Sequence, residues 1–210
     1  MKNFVIGLSL LLGCVGSALA GDAAAGKDKT LVCSACHGAD GNSEVAMFPK
    51  LAGQNERYLV KQMEDIKSGV RPVPTMAGQL DAMSDEDMAN IAAFYASQTA
   101  SGGHADPAKV EQGAGIYRGG ISSTGVAACA ACHGAAGGGN GPAGFPALAG
   151  QHVDYIADQL RRFRIGAENT LEQNPGGRTN DGDARMMRDV THRMSDNEIN
   201  AVASFIAGLH

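Results

Sequence analysis

Two short runs carry chemistry: Cys33-Ser34-Ala35-Cys36-His37 and Cys129-Ala130-Ala131-Cys132-His133. Cys-x-x-Cys-His is the attachment pattern of c-type haem. Its two thiols add to the two vinyl groups of a haem and leave two thioether bonds. The adjacent histidine then lies under the iron and supplies one axial nitrogen. Two copies predict two covalently bound haem c groups, with electron transfer as the leading function. A bare Cys-x-x-Cys also serves as a redox disulfide, half a zinc site or a structural bridge. A zinc site built from all four cysteines joins motifs 96 residues apart and leaves both histidines without a role.

The elements that position these motifs occur twice. Cys33, Cys36, His37 and Gly38 match Cys129, Cys132, His133 and Gly134 at an offset of 96. Phe48-Pro49, Leu51-Ala52-Gly53-Gln54, Tyr58, Gln62 and Gly69 match Phe145-Pro146, Leu148-Ala149-Gly150-Gln151, Tyr155, Gln159 and Gly166 at 97. Met76, Ser84-Asp85 and Phe94 match Met187, Ser195-Asp196 and Phe205 at 111, so the second module has about 14 extra residues between Gly166 and Met187. That insertion, rich in Gly, Asn and Asp around Asn174 to Asp183, reads as a surface loop.

Each module reads as helices and loops, with no strand pattern. A first helix is expected near Asp22 and near Pro107, each running toward its cysteine motif. A middle helix follows Gln54 and Gln151. Tyr58, Leu59, Gln62, Met63 and Ile66 share one of its faces, as do Tyr155, Ile156, Gln159, Leu160 and Phe163. Gly69 and Gly166 read as its stops. The last helix starts at a capping box, Ser84 with Asp87 and Ser195 with Glu198. Its apolar stripe runs Met88, Ile91, Phe94, Tyr95 and Ile199, Val202, Phe205, Ile206. Thr99 to Ala105 reads as the linker.

The residue opposite each histidine decides function. A haem with one histidine binds gases or peroxide; one with two strong ligands mainly carries electrons. Thioether sulfur is a soft ligand that favours Fe(II) and raises the potential. Met63 and Met88 fall on apolar helix faces, and Met83 and Met194 occupy hydrophobic-staple positions before the capping serines. Met47 and Met186 have no methionine counterpart in the other module. Met76 and Met187 pair with each other, each in a loop seven residues before a staple methionine, and are the expected axial ligands. Core filling is the competing role for any methionine. His192 lies close enough to Met187 to remain a rival, whereas His104, His152 and His210 read as surface residues.

Pro49 and Pro146 offer carbonyls that can accept the Nδ1–H of the axial histidines and fix the rings, or simply make turns. Tyr58, Gln62 and their partners fit contacts to haem propionates, contacts across a domain interface, or an ordinary amphipathic helix. Arg161, Arg162 and Arg164 suit propionates, a docking partner or, more simply, a solvated helix face.

Residues 1–20 read as a secretion signal: Lys2, the apolar stretch Phe4 to Val15, and Ala18-Leu19-Ala20 before the cleavage site. Leu11-Leu12-Gly13-Cys14 resembles a lipobox, but the downstream site favours a soluble mature chain from Gly21. Export predicts the periplasm, with the protein soluble or loosely associated with the membrane surface. Four reduced cysteines there need a reason to stay out of disulfides, and thioether bonds supply it. Without Lys2 the chain holds 16 basic and 22 acidic residues, a net charge of −6. This argues against nucleic acid and suits docking to basic patches on partner proteins.

With both Cys-x-x-Cys-His-Gly motifs, both Phe-Pro-x-Leu-Ala-Gly-Gln segments and both Met-x7-Ser-Asp ends in view, the chain resembles the dihaem cytochrome c4 family over essentially all of its mature length. The resemblance implies an all-α fold of two tandem cytochrome c domains, residues 21–100 and 101–210, packed face to face about an approximate twofold axis. It implies haems tethered by Cys33, Cys36, Cys129 and Cys132, with iron ligands His37, Met76, His133 and Met187 and propionates near the interface. The implied partners are a cytochrome bc1 complex or blue-copper donor and a terminal oxidase acceptor. A haem subunit of a periplasmic dehydrogenase has the same sites and stays open. A dihaem peroxidase needs one open iron, which equivalent methionines argue against.

Overall fold

The computed structural model describes residues 21–168 and 172–210; the expected leader over 1–20, with Cys14, lies outside them. The first module contains helices α1 (Ala23–Lys29), α2 (Leu31–His37), α3 (Glu56–Lys67) and α4 (Asp85–Ala96), with a 3-10 turn at Pro74–Met76. The second contains α5 (Pro107–Gly119), α6 (Ala130–His133), α7 (Val153–Glu168), α8 (Met186–Thr191) and α9 (Asp196–Ala207). Among the described residues there is no strand, only two isolated bridges, Ile121 with Val126 and Asn140 with Phe145. No described helix is long and apolar enough to cross a membrane.

Both modules are built on one crossing, first helix against last. Asp22 and Asp106 cap the first helices through their side chains, and Pro107 occupies the first turn of α5. Ser84 and Ser195 make reciprocal capping boxes with Asp87 and Glu198. The apolar stripes of α4 and α9 are buried in full, from Met88 to Tyr95 and from Ile199 to Ile206. Met194 is buried against the second core and Met83 packs on the first, as staple residues should. Phe94 and Phe205 come from the last helix in both cores, but the buried tyrosine comes from opposite sides: Tyr95 from α4, Tyr117 from α5. Tyr117 donates to the Gly134 carbonyl at 2.6 Å, tying the second core to its cysteine motif.

The helices cross at a glycine in each module. A β-carbon on Gly26 would lie 1.9 Å from the Asn90 carbonyl oxygen, and one on Gly113 would lie 2.3 Å from that of Ala201. Gly115, two residues along α5, has open space around it. Gly113→Ala should therefore destabilise by about 1–3 kcal/mol through overpacking. Gly115→Ala should stabilise by about 0.5–1 kcal/mol through helix propensity. Opposite signs in paired thermal melts check this; equal effects contradict the close crossing.

Three expectations are corrected. The first helix of the first module breaks at Thr30, so α1 and α2 are separate. Gly69 ends α3 as expected, with φ of 78° and its N–H on the Ile66 carbonyl. Gly166 does not end α7, which runs on to Glu168. Gly166 is instead buried where the inserted segment comes back: a β-carbon there would lie 2.3 Å from the Arg178 carbonyl oxygen. The insertion is no simple surface loop, because Gly177 is buried against Gly166, and Arg178 and Asn180 are buried between the modules.

Candidate functional site

The two cysteine motifs are folded alike. In α2, Cys33, Cys36 and His37 fall at positions i, i+3 and i+4, which share a helix face. In the second module Cys129 caps α6, and Cys132 and His133 end it. The chain must reverse directly after each histidine. Gly38 (φ 81°, ψ 156°) and Gly134 (φ 80°, ψ 157°) do this in a region open essentially only to glycine.

Each histidine is fixed in one tautomer. The His37 Nδ1–H donates to the Pro49 carbonyl at 2.9 Å, and the His133 Nδ1–H donates to the Pro146 carbonyl at 3.0 Å. Phe48 and Phe145 pack against the rings at centroid distances of 6.2 and 6.3 Å. The Phe-Pro pair thus orients the ring from two directions, and the carbonyl reading of both prolines holds. With Nδ1 carrying the proton, Nε2 presents its lone pair, as a metal ligand must. Burial lowers both histidine pKa values against the opposing pull of the carbonyl bonds. None of the four described cysteines is in a disulfide.

The methionines separate by environment. Met88 and Met194 are buried, and Met63 and Met83 pack on the first core. Met47 is 72 % exposed and Met186 47 %. Met76 and Met187 are half-buried and belong to neither core cluster. Neither lies in plain loop: Met76 closes the 3-10 turn and Met187 is in the first turn of α8. The insertion anchors α8, because Asp181 accepts from the Arg188 backbone N–H at 2.9 Å and from its Nε at 2.6 Å. His192 is exposed on the far end of α8 with Nδ1 on the Asp189 carbonyl.

A polar interface joins the modules, and sequence reading missed most of it. The middle helices split their shared face: Leu59 and Met63 turn to their own core, while Tyr58 and Gln62 cross to the other module. Arg71 donates to Gln62 of its own module and to Tyr155 and Gln159 of the other. Arg178 repeats this with Gln159 of its own module and Tyr58 and Gln62 of the other. Arg178 also stacks on Phe163, 4.4 Å from the ring centre. The two guanidiniums are 8 % and 6 % exposed and face mostly neutral acceptors. Burial and the Arg71 charge both press the Arg178 pKa down, yet guanidinium does not lose its proton in proteins. Burial alone would raise the Tyr58 phenol, but the Arg178 and Arg71 charges more than offset it.

Arg161, Arg162 and Arg164 do not join this cluster; they pair with Asp196, Asp158 and Asp196 on their own module. His152 is no free surface residue, since its Nε2 meets the Ser43 carbonyl across the interface at 2.9 Å. The linker is held as well: Lys50 Nζ donates to the carbonyls of Ser101, Gly102 and Gly150.

The Cytochrome c family model matches the chain twice, over residues 23–99 and 111–210. Cytochrome c4 of Pseudomonas aeruginosa is 51 % identical over 211 residues, covering 100 % of both chains. This chain belongs to the cytochrome c4 family. The crystal structure of reduced recombinant cytochrome c4 from Pseudomonas stutzeri superimposes with a TM-score of 0.85 at 50 % identity, covering 91 % of this chain and 100 % of that one. A thiosulfate dehydrogenase electron acceptor of Stutzerimonas stutzeri is 38 % identical over 184 residues, covering 85 % of this chain and 79 % of that protein. As a cytochrome c4 the protein is a dihaem electron carrier rather than an enzyme, with two covalently bound haem c groups on two cytochrome c domains.

The residues fit that cofactor. Each module offers a buried imidazole with Nε2 free of protein partners among the described residues, beside two cysteines outside any disulfide. Two buried cations at the interface, set mostly among neutral acceptors, have the charge that haem propionates complement.

Proposed function

We propose that Cys33, Cys36, Cys129 and Cys132 tether the two haems, and that His37 with Met76 and His133 with Met187 ligate the irons. The observation that carries this is the repeated tautomer: both buried histidines give Nδ1–H to a proline carbonyl and keep Nε2 for a metal. Bound haem supplies a one-electron couple. The chain's residues do the rest. Pro49 and Pro146 hold the imidazole rings and raise their basicity. The soft sulfurs of Met76 and Met187 favour the reduced state. Rigid helix crossings keep the reorganisation on changing oxidation state small. Arg71 and Arg178 carry charge suited to the propionates at the interface.

In this reading residues 1–20 are removed on export and the domains are 21–100 and 101–210. The mature protein works in the periplasm, soluble or loosely held at the membrane surface. It takes electrons from a bc1 complex or a blue-copper protein and gives them to a terminal oxidase. Its acidic balance favours basic docking patches, so transfer rates should fall as salt rises. A second reading, electron acceptor of a periplasmic dehydrogenase, is favoured by the likeness to the thiosulfate dehydrogenase acceptor. Stopped-flow mixing decides between them. Fast reduction by a blue-copper protein or bc1 complex, with fast reoxidation by oxidase membranes, supports the respiratory shuttle. Fast reduction by thiosulfate dehydrogenase alone replaces it with the second reading.

A further inference from the structure

Gln54 and Gln151 each reach into the opposite domain and grip the backbone N–H and carbonyl of one particular residue. Gln151 Oε1 accepts the Lys50 backbone N–H at 2.9 Å, and Gln151 Nε2 donates to the Lys50 carbonyl at 2.9 Å. Gln54 Oε1 accepts the Ala147 N–H at 2.8 Å, and Gln54 Nε2 donates to the Ala147 carbonyl at 2.9 Å. Lys50 follows Pro49 and Ala147 follows Pro146. The N–H that each glutamine holds is therefore the other end of the peptide group whose carbonyl holds the axial histidine.

Both carboxamides are 8 % exposed, and each oxygen is further pinned by the next backbone N–H of its own domain, Asn55 or His152. The amide groups are thus fixed in orientation. The result is a continuous chain of two hydrogen bonds through one peptide: imidazole N–H to carbonyl, then peptide N–H to a glutamine of the other domain. Hydrogen bonds in series polarise one another. Donation from the peptide N–H puts more negative charge on the proline carbonyl oxygen. That strengthens its bond to Nδ1–H and makes the imidazole a stronger electron donor. A stronger donor stabilises the oxidised iron and lowers the potential.

We propose that Gln54 sets the potential of the second-domain haem and Gln151 that of the first, each acting in trans. They are positioning residues, acting through the peptide and the histidine rather than on the iron. The inference rests on the His37 and His133 ligation proposed above. It gives the domain interface a redox role: the potential of each haem depends on the other domain being docked.

The test is a redox titration of the intact dihaem protein, following the haem-methyl proton resonances of each domain separately. Gln54→Leu should raise the potential of the second-domain haem, shifting its oxidised-to-reduced ratio severalfold at fixed poise, and leave the first unchanged. Gln151→Leu should do the reverse. Gln54→Glu keeps an acceptor for the Ala147 N–H but loses the amide donor, so it should hold the second-domain potential at or below the parent value. A shift in the glutamine's own domain, equal shifts in both, or no shift overturns the inference. The ferric methionine–iron band is read on the same samples. Its absence already in the parent protein strikes the ligation reading, whereas its presence with unmoved potentials strikes the tuning alone.

Discussion

Met187→Ala should remove half of the methionine–iron charge-transfer intensity of the ferric protein while both haems stay attached. Met187 is half-buried in the first turn of α8, outside the second core, and its proposed role is to ligand iron opposite His133. Losing the soft sulfur should lower that haem's potential by on the order of a few hundred mV, within the roughly 0.8 V over which axial ligands tune haem. Met76→Ala should do the same to the first haem. Met63→Ala, by contrast, truncates a residue packed on the first core. It should cost stability, about 2–5 kcal/mol at the upper end set by full burial, and leave the band intact. Potentiometry with band intensity on the three variants checks the assignment. An intact band in Met187→Ala would move the ligand elsewhere, with His192 the first residue to examine.

Arg178→Met should uncouple the domains. The substitution keeps an apolar stem of similar length but removes the charge that binds Tyr58, Gln62, Gln159 and Asn180. Each of those groups lies at the interface and loses a partner. Breaking such a buried network by removing one member costs about 3–5 kcal/mol. At this chain size that is a fall in Tm of about 10 °C. Because the loss is concentrated at the interface, the calorimetric transition should also split into two. Arg162→Met is the control: it loses a surface i, i+4 contact with Asp158, worth about 0.3–0.5 kcal/mol, and a 3.3 Å bond to the Gly176 carbonyl, but no contact across the interface. Equal, small effects from the two variants would show that the inserted segment does not hold the domains together.

These two sites differ in how legible they were. The cysteine motifs, the proline carbonyls, the helix caps and the buried stripes follow from local spacing, and a duplicated chain states each of them twice. The interface has no such signature. Tyr58 and Gln62 share a helical face with Leu59 and Met63, and periodicity cannot say that the polar half of the face is covered by another domain. Arg178 sits in a Gly- and Asn-rich run whose composition reads as solvated loop. Its equivalence to Arg71 is hidden at an offset of 107, between the blocks at 97 and 111. Asking which inserted residue repeats Arg71 would have found it. Gly166 misled for a related reason: a glycine that ends a helix and a glycine that admits a neighbouring backbone look alike in sequence. His152 lacks a histidine partner in the first module, yet the asymmetry of the interface gives it a contact.

The insertion does two structural jobs through residues four apart or fewer: Arg178 and Asn180 lock the domains, and Asp181 anchors the helix that carries Met187. On the proposed Met187 ligation, domain docking and the second iron's environment are mechanically joined. The trans contacts of Gln54 and Gln151 join them electronically on the same reasoning.

The most direct test of the account is the optical spectrum of the ferric protein, with the methionine–iron charge-transfer band quantified per haem. Two His/Met-ligated haems give full intensity for two haems per chain. Intensity for only one haem would mean an open or differently ligated iron in one domain, and would contradict the assignment of Met76 and Met187 as equivalent ligands of a two-centre electron carrier.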